Sequence, residues 1–291
     1  MISPMSLDRT AVAPLEKMLR RIGEVSTLPH VALRVMQVAS DPNAGAAEMK
    51  RVLEADAALS ARVLRCVNSS AYGVRMKITN LQQAVAYLGL KQIRNLAMTA
   101  GVADLFKTDD AIGPYHRADL WRHLVSVGIG ARMVAMRLRF TNFEDMFLAG
   151  LLHDLGIILE DQYGHRAFCQ MIQSLRPEVS LIDAERQAMG FDHAVLGQCV
   201  AEEWRFPEPV RAAMGYHHNS AAYQGPSADV VRCVEVANLL CSLKGITAVG
   251  IKLRLGPLEG VRALALTKED LVVMAGDLDR ELARQADLFN V

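Results

Sequence analysis

The chain has 291 residues, 32 basic and 32 acidic side chains, and 51% hydrophobic residues. A chain of this size buries about 75% of its unfolded surface, so a large core forms without disulfide or metal staples. With zero net charge there is no global field toward nucleic acid or an anionic membrane, and nucleic acid is not an expected partner.

The five cysteines, Cys66, Cys169, Cys199, Cys233 and Cys241, form no Cys-x-x-Cys pair and stand among apolar neighbours. They read as small buried hydrophobes in a reducing compartment. The first residues lack the basic-then-apolar pattern of a secretory signal, being interrupted by Asp8, Arg9 and Glu16. No apolar run reaches membrane-spanning length, since Gly245–Leu266 carries Lys252 and Arg254. A soluble, cytoplasmic, helix-rich protein is expected.

In chain order, an amphipathic helix is expected over residues 14–25 with Pro14 in its first turn. A second covers Pro29–Ser40, with Val31, Val35 and Val38 inward. Asp41-Pro42-Asn43 is a turn. Ala46–Ala55 is a third helix, and Asp56 caps a fourth running to about Ser69, broken by Asn68-Ser69-Ser70-Ala71-Tyr72-Gly73. Leu81–Leu88 and Gln92–Phe106 follow, split by Gly89. Alternating runs and Asn-Gly hairpin turns are absent, so no strand is expected.

Asp109–Pro114, polar and Gly/Pro-bearing, marks the expected boundary between residues 1–110 and 111–291. One histidine, His30, precedes it, whereas His116, His123, His153, His165, His193, His217 and His218 follow. A helix over Arg117–Leu138 sets Asp119 and His123 on one face, beside Ser126, Val127 and Gly130, which are small enough to admit another helix. Further helices are expected over Asn142–Tyr163, Ser180–Met189, Asp192 to Pro207, Glu208 to His218, and Ser227–Leu243, the last closed by Gly245. Gly245–Leu266 has no clear period. Thr267 with Asp270 starts a last helix to about Phe289, with Leu271, Met274, Leu278 and Leu282 inward.

Within Asn142–Tyr163, the residues Phe143, Met146, Phe147, Leu151, Ile157 and Ile158 form an inward stripe, and Asp154 shares its register. An ionised carboxylate there is costly unless it is paired or bound to a metal. Adjacent His153 and Asp154 suit a divalent ion, one as neutral and one as charged ligand. The plainer alternative is a buried Asp held by backbone amides or an arginine. The candidate ligands are His123, His153, Asp154, His193, His217 and His218, with Asp119 as a further one. Taken singly, each histidine reads as a hydrogen-bonded core residue. Jointly they need a shared interior metal site or several unrelated buried polar groups.

The order and spacing of His123, His153-Asp154 with Gly156 beyond, His193 and His217-His218 resemble the HD superfamily of metal-dependent phosphohydrolases. Asp56-Ala57-Ala58-Leu59, the 68–73 run and Ala84-Val85-Ala86-Tyr87-Leu88-Gly89 are similar to runs of HDOD domains, HD-related output domains of bacterial signal transduction mostly regarded as lacking catalysis. So are Trp121-Arg122-His123, Gly190-Phe191-Asp192-His193 and Trp204-Arg205-Phe206-Pro207. The resemblance covers residues 20–220. It implies an all-α fold, with an N-terminal helical bundle packed on an HD-like helical subdomain that carries a C-terminal extension.

Three departures bear on activity. Catalytic relatives close the site with a late Asp, and Asn238 stands at the expected position, which removes a charged ligand. The branch hydrolysing cyclic dinucleotides carries Lys three residues after the Asp, where this chain has Ile157, which cannot hold a phosphate. That branch also carries Gly-Tyr-Pro after its paired histidines, where this chain continues Asn219-Ser220-Ala221. Hydrolysis of cyclic dinucleotides is therefore not expected.

These features imply a non-catalytic HDOD-type signalling protein acting through protein contacts, with no membrane association. No receiver, cyclase or kinase segment is legible, so its signalling partners are expected in trans. The alternative is a metal-dependent phosphohydrolase acting on a nucleotide or phosphoester. A third reading is a module that senses a metal or nucleotide without turnover. The cofactor admitted is a divalent ion: iron, manganese, magnesium, zinc or nickel.

Overall fold

Helix-period apolar stripes build an all-α fold in the computed structural model, which describes residues 9–24, 30–41, 43–69, 72–108, 111–253, 256 and 258–290. Pro29, Pro42, Ser70, Ala71, Asp109 and Asp110, on which several sequence expectations fell, lie outside the described residues. The first helices are α1 (Arg9–Glu24), α2 (His30–Ser40), α3 (Ala46–Glu54), α4 (Ala57–Val67), α5 (Leu81–Leu88) and α6 (Leu90–Ala103). Pro14 lies inside α1 rather than in its first turn. It removes one backbone bond near the helix start, while buried Leu15, Met18 and Ile22 carry one face through it.

Asp56 caps α4 as expected, its carboxylate accepting from the Leu59 amide at 2.9 Å. Asn68 ends α4 and locks the following loop, donating to the Ile78 carbonyl and accepting from the Ile78 amide, both at 2.8 Å. α6 ends earlier than its period suggested and tightens into a 3₁₀ turn over Asp104–Phe106.

A two-residue antiparallel pair corrects the strand-free expectation: β1 (Ala111–Ile112) with β2 (Tyr115–His116). Gly113, at φ 55°, supplies the left-handed turn residue that a tight hairpin needs. The pair is too short to show as an alternating run.

Beyond it follow α7 (Arg117–Arg137), α8 (Phe143–Leu152), α9 (Leu155–Tyr163), α10 (His165–Ser174), α11 (Leu181–Met189), α12 (His193–Glu203), α13 (Glu208–Tyr216), α14 (Ala228–Leu243), α15 (Glu259–Ala263) and α16 (Lys268–Arg284). The single helix expected over Asn142–Tyr163 is thus two, broken at His153-Asp154. α10 and the short α15 had no local signal. α10 begins one residue after α9 with only Gly164 at its cap.

Glycines set the helix crossings around α7. A Cβ on Gly150 of α8 would stand 2.8 Å from the Val127 carbonyl oxygen and 2.9 Å from the Gly128 Cα of α7. On another side, Gly130 lies under Ala237 of α14. One core cluster runs from Leu15 to Leu288, taking in residues on both sides of residue 110, and a second joins α7, α14 and α16 through Val134, Val234 and Leu278. A polar seam adds to it: Arg94 donates to Asp145 at 3.0 Å and Asn95 to Glu144 at 2.6 Å, tying α6 to α8. Cys66, Cys233 and Cys241 are buried, while Cys169 and Cys199 are only partly so. Burial pushes the Cys66 thiol up to about 11 and those of Cys233 and Cys241 to about 12. Among the described residues no helix is long and apolar enough to cross a membrane.

Candidate metal centre

α7 is buried along most of its length and carries His123 inward. The break between α8 and α9 turns His153 and Asp154 toward the same point, which neighbours on one straight helix could not share, being about 100° apart. His193 opens α12, where Asp192 caps the helix by accepting from the Val195 amide at 2.9 Å. His217 is the C-cap of α13, and His218 follows it.

These ends converge on one carboxylate. Asp154 Oδ2 lies 3.3 Å from His123 Nε2 and 3.2 Å from His153 Nε2. Its Oδ1 lies 3.2 Å from His193 Nε2 and 3.0 Å from His217 Nε2. His193 Nε2 is in turn 2.9 Å from His218 Nε2. Ligands bonded to one ion at about 2.0–2.2 Å stand roughly 3–3.5 Å apart, so this spacing fits a metal-binding set.

The outer nitrogens fix the ring orientations. His123 Nδ1 donates to the Ile246 carbonyl at 3.0 Å, His153 Nδ1 to the Gly150 carbonyl at 2.8 Å and His217 Nδ1 to the Ala213 carbonyl at 2.9 Å. His193 Nδ1 donates to the Glu185 carboxylate at 2.7 Å. With Nδ1–H engaged, a neutral ring presents a bare Nε2 lone pair, as metal-ligating histidines do. Burial, outweighing the pull of Asp154, lowers the His153 imidazole to about 4, so that ring is neutral.

Lone pairs therefore face an anion across contacts of 3.2–3.3 Å with no hydrogen between. His123 Nε2, His153 Nε2 and Asp154 Oδ1 are buried without a hydrogen-bond partner. A metal ion placed between them would satisfy these atoms. His193 shows what substitutes without an ion. Burial works to lower it, but Glu185 and Asp154 together raise it well above its ordinary value, so it takes up a proton. Two ligand groups share Asp154: one with His123 and His153, the other with His193, His217 and His218.

All six sequence candidates thus come together. Asp119 does not: it is exposed on α7 and belongs to neither group. Asn238 lines a cavity of about 550 Å³ that also exposes His123, Asp154, His217 and His218. Ile157 is buried in the core and is not among that cavity's lining residues.

Sequence reasoning missed Glu185 and Glu160, both fully buried behind His193. Glu185 falls at i+4 from Leu181 and i−4 from buried Met189, a helical register that could have flagged it. Burial, then the charge of Glu185, raises the Glu160 carboxyl well above its usual range.

The sequence profile of the HDOD domain matches residues 25–220. Among solved structures, the chain is similar to an HDOD domain protein with unknown function from Geobacter sulfurreducens, at 28% identity and TM-score 0.77, covering 95% of this chain and 97% of that one. A candidate phosphohydrolase from Shewanella amazonensis SB2B superimposes with TM-score 0.73 at 20% identity, covering 94% of this chain and 97% of that one, and shares the fold. An uncharacterized protein of Treponema pallidum (strain Nichols) is 26% identical over 208 residues, 68% of this chain but only 38% of that longer relative.

Proposed function

Since this chain belongs to the HDOD domain family, we propose that it is a non-catalytic regulatory module of bacterial signal transduction that holds a divalent metal at the His–Asp centre. The observation carrying this reading is the set of inward Nε2 atoms around the buried Asp154 carboxylate, with three of those polar atoms left without partners. His123, His153 and Asp154 would hold one ion, with Asp154, His193, His217 and His218 able to hold a second. A bound divalent ion supplies a Lewis-acid position for an anionic oxygen. Iron, manganese, magnesium, zinc and nickel are all compatible with imidazole and carboxylate donors to differing degrees.

The chain's own residues argue against turnover. Asn238 offers the cavity a neutral amide where a carboxylate would complete the charge, and Ile157 faces the core. Electrostatic stabilisation is commonly worth roughly a hundredfold or more per donor in such reactions. In this reading residues 1–110 and 111–291 are helical subdomains of one module, and its partners are signalling proteins supplied in trans in the cytoplasm.

The second reading, a metal-dependent phosphohydrolase acting on a nucleotide or phosphoester, is favoured by the cavity that opens onto the cluster. One experiment separates the two. The metal content of the purified chain is measured, and hydrolysis is assayed on cyclic dinucleotides, nucleoside monophosphates and an aryl phosphodiester with Mn²⁺, Mg²⁺, Fe²⁺ or Ni²⁺. Retained metal without turnover is expected. Turnover lost in both His153→Ala and Asp154→Ala would make the chain an enzyme.

A further inference from the structure

We infer that the cavity beside the His–Asp centre binds an amphiphilic anion with an aliphatic body, its head group against the centre and its chain along the apolar wall. This rests on the metal reading above for the head group and on the wall itself for the chain.

The cavity, about 550 Å³, has the size of a small-molecule site. Its floor is His123, Asp154, His217 and His218. Its sides are aliphatic: Leu181 and Ile182 from α11, Leu239 from α14, and Val249 and Ile251 from the segment between α14 and α15. α14 presents Glu235, Asn238, Leu239 and Ser242 to it at helical spacing. At the mouth stand Leu243, 55% exposed, and Leu258, 38% exposed, apolar side chains that the fold leaves in solvent.

The described lining is aliphatic rather than aromatic. Apart from the imidazoles, no aromatic ring stands among the described lining residues on which a base could stack, and none is an arginine. Each charged group of the wall makes a hydrogen bond within the protein, although the buried Oε2 of Glu235 has no partner. Lys252 donates to the Leu243 carbonyl at 3.1 Å, Glu235 accepts from the Gly260 amide at 3.0 Å, and Asp183 accepts from the Ser180 hydroxyl at 2.6 Å. The remaining polar lining, Asn238, Ser242 and Thr247, is neutral. A cationic floor once metal is bound, under aliphatic walls, matches an alkyl phosphate or carboxylate.

The test is isothermal titration of the full chain loaded with Mn²⁺, using octyl phosphate below its micelle concentration, methyl phosphate and adenosine monophosphate. Octyl phosphate is expected to bind on the order of a hundredfold tighter than methyl phosphate, since its added methylenes leave water. Adenosine monophosphate is expected to bind no tighter than methyl phosphate. Leu243→Asp and Leu258→Asp change solvent-exposed side chains, so folding is retained, and each should lower octyl phosphate affinity about tenfold while leaving methyl phosphate unchanged. Equal affinity for the two alkyl phosphates, or preference for the nucleotide, overturns the inference. 1-Octanol separates this failure from that of the metal reading, because it needs no ion. Its protection of the metal-free chain against thermal unfolding, lost in Leu243→Asp, supports the apolar wall even where no metal is retained, and no protection in the wild type overturns it.

Discussion

The carbonyl oxygen of His193 occupies the space that a Cβ at Gly156 would need. α9 and α12 therefore meet backbone to backbone, and this contact brings Asp154 and His193, one near the start of each helix, to 3.2 Å. Gly156→Ala must push the two helices apart. Overpacking of a core costs about 1–3 kcal/mol and more when backbone has to move, so the upper end is expected here. Urea unfolding should show a lower midpoint, and metal content should fall with it. A fully stable variant that retains metal would mean the two helices are not fixed by this contact.

A second stabilising group lies away from the centre. Arg117, at the start of α7, donates to Asp161 of α9 at 2.6 Å, and Tyr115 of the hairpin donates to the same carboxylate at 3.1 Å. All three side chains are buried. Removing one member of a buried pair commonly costs about 3–5 kcal/mol, and here the lower end is expected because Tyr115 and His165, whose Nδ1 lies 2.9 Å from Asp161 Oδ1, still face the carboxylate. Arg117→Ala is expected to lose this much, with little dependence on salt because the pair is shielded from solvent. A loss below ~1 kcal/mol in denaturant titration would place the pair among weak surface bridges.

Much of this architecture was legible because it is written locally. Asp56, Asp192 and the Thr267–Asp270 capping box each accept the backbone amides that their positions in sequence suggested. Ser126, Val127 and Gly130 mark a face that α8 and α14 do approach. The histidine order singled out the six groups that converge. What escaped depends on tertiary context. The break at His153-Asp154 has no proline to announce it, the flanking Gly150 and Gly156 both lie inside helices, and both ligand side chains are buried there by distant helices. The hairpin spans two residues per strand, below any period. Glu160 looks like a solvated helix residue until the chain folds over it.

That buried carboxyl makes stability depend on pH. Glu160, raised by burial and by the charge of Glu185, favours the protonated form. A carboxyl with a raised folded-state pKa contributes stability that is complete below its unfolded value, 4.5, and is lost as pH climbs toward the folded value. The melting temperature of the metal-free chain should therefore decline as pH rises from 4.5 upward. Glu160→Gln mimics the neutral form at every pH and should flatten that decline without destabilising the acid end. An unchanged slope in the variant would assign the pH dependence to other groups.

Glu185 also sets the quality of the metal site without touching the ion. Its carboxylate accepts from His193 Nδ1 at 2.7 Å and from the His193 amide at 3.1 Å, so it fixes both the ring and the first turn of α12. The ring then directs Nε2 at Asp154, and its negative charge strengthens the imidazole as a donor. Outer partners of this kind are worth about 10–100-fold in metal affinity. Glu185→Ala should weaken Mn²⁺ or Zn²⁺ binding by that factor in a competition titration against a fluorescent chelator. Glu185→Gln keeps an acceptor of the same shape but removes the charge, so it should fall between the variant and the wild type. Metal uptake must also displace the proton that His193 carries in the ion-free chain, because burial is outweighed there by Glu185 and Asp154. Proton release measured on metal addition should therefore shrink in Glu185→Ala, where the main group holding that proton is gone. Wild-type affinity in both variants, with unaltered proton release, would show that His193 is not held by Glu185 for metal binding.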